Sequence, residues 1–189
     1  MRHILENYEV KLVLLTQDKI EMVRQWRTDP KISQYMDFRG EITKEMQEKW
    51  FSNLNNGIDN FYWLIVYKDE EIGLINIKDV DYQNKTGETG VFIYDDKYLN
   101  TDVAYRAHLV MFDFAFSELG LEVTRSHILK LNVRAQRFGI FLGSRLAEGQ
   151  DDTENQLYLI TKEDYFNNVN RLHFLRRYDK RTTSIQYTK

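Results

Sequence analysis

The stretch Glu88-Thr89-Gly90-Val91-Phe92-Ile93-Tyr94-Asp95-Asp96-Lys97-Tyr98-Leu99-Asn100-Thr101-Asp102-Val103-Ala104 decides how the rest of the chain is read. Residues 90–94 are a short apolar run of the kind a buried strand shows. From there Val103, Ala107, Val110, Met111, Phe114 and Leu119 recur at helical spacing, and Gly120 supplies a stop. Residues 122–129 then read as a second strand and 132–142 as a second helix. The order is a βαβα unit with a polar loop at the head of its long helix.

Working outward, residues 8–15 read as a first strand, and Thr16 as the N-cap of a helix carrying Ile20, Val23 and Trp26 that Asp29-Pro30 ends. Thr43 opens another helix through Met46, Trp50 and Leu54. Residues 61–67 and 72–77 are two strands around a charged turn, and the run from Leu157 to Lys162 reads as a last core strand.

A chain of 189 residues fits one domain over 1–189, with a core at about 8–162 and an extension at 163–189. No apolar run approaches the roughly 20 residues a membrane span needs, so no membrane partner is expected. The start, with Arg2, His3, Glu6 and Glu9, lacks the apolar core of a secretory leader. Zero cysteines exclude a disulfide scaffold, a thiolate zinc site and a cysteine nucleophile, and are compatible with a cytoplasmic setting. With no His-x-x-x-His spacing either, no metal is expected. A net charge of -3 argues against nonspecific nucleic-acid binding, which is mostly phosphate neutralisation. The basic tail, Arg171, Arg176, Arg177, Lys180, Arg181 and Lys189, reads as a solvated face or a phosphate contact. Tyr165, Phe166, Val169, Leu172, Phe174 and Leu175 read as a homodimer surface or as a segment that folds back.

The βαβα unit, with its Asp95-to-Ala104 loop, Asn132-x-x-Ala135, Leu142-Gly143 and the strand from Leu157, resembles the acetyl-CoA-binding core of the GNAT N-acetyltransferases. The first third carries Arg24-x-Trp26-Arg27-x-x-Pro30, Met36, Ile42 leading a helix with Trp50, Phe61-Tyr62-Trp63-Leu64-Ile65-Val66 and Ile72-Gly73-Leu74-Ile75. It is similar to the N-acetyltransferases of bacterial nucleotide-sugar pathways, and the group that acetylates ribosomal-protein N-termini shares part of the pattern. The resemblance implies a mixed α/β fold. Its central, mostly antiparallel sheet is flanked by helices, its fourth and fifth strands splay to open a cofactor cleft, and its N-terminal helices form the acceptor wall.

The same resemblance implies acetyl-CoA as co-substrate, its pyrophosphate resting on backbone amides at the start of the long helix, over Leu99, Asn100, Thr101, Asp102, Val103 and Ala104. The family has glycines where this chain has Asn100, Asp102 and Ala104. Asp102 stands out, because a carboxylate puts like charge beside a pyrophosphate and an Asp at a helix start can satisfy those amides itself. Either the loop binds the cofactor or the carboxylate occupies the anion site. Main-chain groups of Phe92, Ile93 and Tyr94 are expected along the pantetheine arm, with Asn132 on the arm, Ala135 packed beneath it, and Arg106, Arg134 and Arg137 on the cofactor side.

For catalysis, Glu88 is the candidate base, or else an exposed strand-end charge. The family's proton donor is a tyrosine four residues after the alanine, a position held here by Gly139. Ser144 stands where the family has the phenylalanine of Leu-Gly-Phe. Tyr94, Tyr105 or Tyr158 is the alternative source of a hydroxyl. His108 and His127 read as packed or surface histidines. Arg27, Tyr35, Met36, Arg39 and Trp63 are the candidate acceptor contacts, rings and arginines that suit a nucleotide base and a diphosphate. The expected function is acetyl transfer to a primary amine, on a nucleotide-linked aminosugar or another small molecule. The rivals are transfer to a protein N-terminus and a catalytically inactive binding module, the latter resting on Asp102, Gly139 and Ser144.

Overall fold

A computed structural model describes residues 2–178 and 184–188. The basic-tail residues Lys180, Arg181 and Lys189 lie outside the described residues. The chain begins with a hairpin, β1 (Arg2–Asn7) and β2 (Val10–Leu14), in place of the single strand expected at 8–15. Tyr8 and Glu9 form its turn at φ 51° and 61°, the left-handed pair that a two-residue hairpin demands but that these residue types seldom supply. Burial of Tyr8 and its hydrogen bond to Asp113, 2.9 Å, offset the strain.

Thr16 starts a short 3-10 turn that runs into α1 (Ile20–Thr28), whose Ile20, Val23 and Trp26 are buried along one stripe. The Asp29 carboxylate caps α2 (Pro30–Ser33), with Pro30 at the tolerated first position. Thr43 caps α3 (Lys44–Ser52), as its sequence suggests. Then come β3 (Phe61–Tyr67) and β4 (Glu70–Asp81), joined through Lys68 and Asp69 at positive φ, and β5 (Thr86–Ile93).

The polar loop leads into α4 (Val103–Asp113), which continues as one π-helical turn, Phe114–Glu118, before Gly120 at φ 67° ends it. Most of α4 is buried, so it is a core helix rather than a surface one. β6 (Val123–Leu129), α5 (Val133–Leu142), β7 (Arg145–Leu146) and β8 (Asn155–Thr161) follow. The extension forms α6 (Lys162–Phe166), α7 (Val169–Leu175) and β9 (Ser184–Thr188).

The nine strands of the described residues make one sheet, ordered β7-β8-β6-β5-β4-β3-β2-β1-β9. Every pairing is antiparallel except β5 with β6. That parallel register holds only Thr86↔Val123, Gly87↔Thr124 and Glu88↔Arg125; beyond it the two strands part while each stays paired to its outer neighbour. The expected splayed pair is therefore present, as the fifth and sixth strands, because the N-terminal hairpin adds one.

Two apolar clusters cover the two faces. On one face Trp63, Ile65, Ile75 and Ile77 pack with α4, α6 and α7. On the other, Leu64, Leu74, Phe92 and Tyr94 pack with Ile20, Val23 and Trp26 of α1. The extension folds back: Tyr165 and Phe174 are buried in the first cluster, leaving Val169 and Leu172 exposed. Arg171 is not part of a solvated face, for its guanidinium meets Asp113 at 3.3 Å and lies 4.6 Å from the centre of the Tyr165 ring.

Candidate active site

The gap between β5 and β6 is the centre of the site. Tyr94 donates its N–H to the Ile72 carbonyl at 2.8 Å, and antiparallel alternation turns Phe92 the same way. Hence, of the three main-chain positions expected on the cofactor arm, Ile93 presents its N–H to the open edge, joined by Val91, whereas Phe92 and Tyr94 serve β4. Gly73, opposite Ile93, allows this approach: a Cβ there would stand 2.3 Å from the Phe92 carbonyl oxygen. Thr89, the first residue past the last pair, reaches across to the Arg125 carbonyl, 3.4 Å.

At the last pair sits Glu88. It is no exposed strand-end charge, since its side chain is 17% exposed and two cations and an imidazole surround it: Lys78 at 3.0 Å, Arg125 at 3.7 Å and His127 at 3.5 Å. Burial pushes its carboxyl up, but the Lys78 hydrogen bond and charge, with His127, outweigh that and hold it below the usual carboxylate range. Sequence reading found Glu88 but none of its three partners, which come from β4 and β6.

Several of the residues expected to line an acceptor site gather on this face. Arg27 lies over Trp50 at 6.0 Å from the ring centre, and Trp50 meets Tyr62 edge-on. Burial lowers the Arg27 pKa and raises that of Tyr62, so both polar ends sit in a partly dry place. Lys31 lies 4.1 Å over the Tyr94 ring and 3.3 Å from Asp96, while Asp37 meets Asn155 of β8 at 3.4 Å. Residues 31–37 thus cross the gap from one bank to the other. They carry Tyr35, 48% exposed, and half-buried Met36, and beyond them exposed Arg39 donates to the Met36 carbonyl.

Trp63 does not belong to this group. It is fully buried on the opposite face, stacked on Phe61 and edge-on to Phe114. The alternation of β3 puts Tyr62, not Trp63, toward the acceptor side. Tyr94 sits at the end of the gap with its ring stacked on Trp26 at 5.2 Å and its hydroxyl 3.4 Å from Asp29.

At the head of α4, Asp102 is the N-cap residue by position yet makes no capping hydrogen bond; its carboxylate turns to Arg106 at 3.0 Å. Arg106 therefore faces Asp102, Glu9 and Tyr178 rather than the cofactor side. Asn100 and Thr101 are exposed in the loop, Val103 is core, and Ala104 is half-buried. Arg134 of α5 donates to the Leu99 carbonyl across the groove. Asn132 caps α5 by accepting from Ala135 N–H at 3.1 Å. His108 is buried, bonded to the Ala104 carbonyl at 2.8 Å, with its pKa pushed down to about 4 by burial. Among the described residues no group of three His, Cys, Asp or Glu side chains is arranged to hold a metal ion. A shallow open groove along Leu14, Leu15, Thr16 and Phe51 carries no charged side chain and lies apart from the gap.

The family model for the Acetyltransferase (GNAT) domain matches residues 9–144, most of the chain and all of the gap up to α5. The chain belongs to the GNAT acetyltransferase family. No curated protein sequence matches it. Among solved structures, this GNAT chain is similar to spermidine N-acetyltransferase from Vibrio cholerae in complex with CoA and spermine (TM-score 0.74, 15% identity, covering 85% of this chain and 100% of that one). It is also similar to apo FdhC, a nucleotide-linked sugar GNAT (TM-score 0.72, 22% identity, 89% and 94%). A domain from Methanocaldococcus jannaschii matches at TM-score 0.69 and 16% identity, covering 80% and 97%. At these identities the likeness is one of fold.

Proposed function

We propose that this GNAT chain transfers acetyl from acetyl-CoA to a primary amine on a small acceptor that carries negative charge, of which a nucleotide-linked aminosugar is the best fit. The observation that carries this is the charge of the acceptor face: Lys78 and Arg125 flank the Glu88 carboxylate at 3.0 and 3.7 Å, Lys78 also meets Asp79 at 3.6 Å, and Arg27 adds a third cation over Trp50. A polycation such as spermidine would meet repulsion there. An anionic donor of the amine would meet attraction.

The residues present fit acetyl-CoA. Asp102 leaves the first amides of α4 uncapped, and the β5 edge at Val91 and Ile93 is unpaired toward the gap. Leu99, Asn100, Thr101, Asp102, Val103 and Ala104 would hold the pyrophosphate, Ile93 the pantetheine arm, and Asn132 with Ala135 the far bank. Bound there, acetyl-CoA supplies an activated thioester. Glu88 is expected to anchor the incoming ammonium, which gives a proton to water so that the neutral amine attacks, because a carboxyl held below its usual range orients a cation better than it takes a proton near neutral pH. Tyr35, Met36 and Arg39 would close over the acceptor. Tyr94 is the hydroxyl nearest the end of β5 and the candidate to give a proton to the departing thiolate.

Titration calorimetry tests the reading. Acetyl-CoA should bind, and a UDP-linked aminosugar should bind to the acetyl-CoA-free protein where spermidine does not. Spermidine binding in preference to the nucleotide sugar would overturn the acceptor assignment.

A further inference from the structure

Arg106 holds an unusual position for a long cation one turn into a helix. Its side chain is 13% exposed, and its guanidinium is gripped by Asp102 at 3.0 Å, by Glu9, and by the Tyr8 carbonyl at 3.5 Å. Tyr67 and Tyr178 stand over it, their ring centres 6.0 and 5.5 Å away. It therefore ties the head of α4 to the strained turn of the N-terminal hairpin and to the segment after α7.

Asp is among the residues that most readily cap a helix start, accepting from the second or third amide. Asp102 does not do so. Its φ of −82° and ψ of 4° depart from the extended backbone a cap adopts, and its carboxylate is spent on Arg106. The next contact, Thr101 Oγ1 to Val103 N at 3.4 Å, is long.

We propose that Arg106 is a positioning residue: by drawing the Asp102 carboxylate away from the first amides of α4 and neutralising it, Arg106 keeps that helix start open for the pyrophosphate of acetyl-CoA. This rests on the reading above that the chain binds acetyl-CoA. It explains how a loop without glycine at position 102 keeps an anion site. The fixed partners on three sides matter, because a freely moving arginine would not hold the carboxylate in one place.

The test is calorimetric titration of coenzyme A into the full chain and its Arg106→Met, Arg106→Lys, Asp102→Asn and Asp102→Asn/Arg106→Met variants, each checked for folding by circular dichroism. Arg106→Met should weaken binding by about tenfold, within the range of coupled neighbours. The double variant should match Asp102→Asn, whatever the affinity of that single variant, and Arg106→Lys should keep most of the affinity. A loss in Arg106→Met that persists in the double variant would overturn the proposal, since the arginine would then act on the phosphate or the fold. So would unchanged binding in Arg106→Met. Binding by Asp102→Asn where the unmodified chain binds nothing would overturn the positioning role and spare the acetyl-CoA reading, whereas silence in all five proteins would sink both.

Discussion

Lys78 Nζ lies 3.0 Å from Glu88 Oε1, across adjacent strands, at the last residue before β5 and β6 separate. On the proposed reading the pair sets both the charge and the pH behaviour of the acceptor face. Without Lys78, burial is opposed by less positive charge, so the Glu88 carboxyl rises. Lys78→Met should therefore move the acidic limb of the kcat/KM profile to higher pH. An unmoved limb would show that Glu88 does not face the acceptor. The sign for stability is the same: a depressed carboxyl stabilises the fold above its unfolded pKa, and that contribution fades as pH falls through the folded value.

Arg27, over the Trp50 ring, is proposed to meet the acceptor and not the cofactor. Arg27→Ala should raise the acceptor KM by about ten- to a hundredfold, the worth of a charge-assisted hydrogen bond, and leave coenzyme A affinity unchanged. Steady-state kinetics in both substrates separates the two.

The buried imidazole of His108 gives a second pH effect. Its folded pKa, pushed down to about 4, lies below the ordinary value of about 6.5, so the unfolded chain binds the extra proton between them. Stability should fall as pH drops from about 6.5 to about 4, by on the order of 3 kcal/mol at most, then level off. His108→Phe should flatten that slope in urea unfolding followed across pH.

The Asp113 carboxylate accepts from Tyr8 at 2.9 Å and Tyr165 at 2.7 Å and pairs with Arg171 at 3.3 Å, tying the first hairpin to the extension. Removing one partner of a buried ion pair strands the other, which costs about 3–5 kcal/mol. Asp113→Ala should show a loss of that size in urea unfolding, and Asp113→Asn a smaller one. A change within 0.5 kcal/mol would mean that the network adds nothing to the neighbouring packing.

Much of this fold could be read from the chain. The spacing of α4, Gly120, the caps Asn132 and Thr43 and the run of β8 each encode their element locally. The first hairpin could not, because its turn is Tyr8-Glu9 and carries none of the usual left-handed residues. Trp63 was misplaced for a different reason: β3 is covered on both faces, so its apolar run does not say which side chains point where. The surroundings of Glu88 and Arg106 come from register between distant strands and from a C-terminal segment folding back, and no local pattern carries that.

On the proposed function, this GNAT chain acetylates an amine whose carrier is anionic. The most direct measurement is the rate of coenzyme A thiol release with a UDP-linked aminosugar and with spermidine, at equal concentration and low salt. Turnover should be faster with the nucleotide sugar and should decline as salt screens the cationic face. Faster turnover with spermidine would contradict the proposed function.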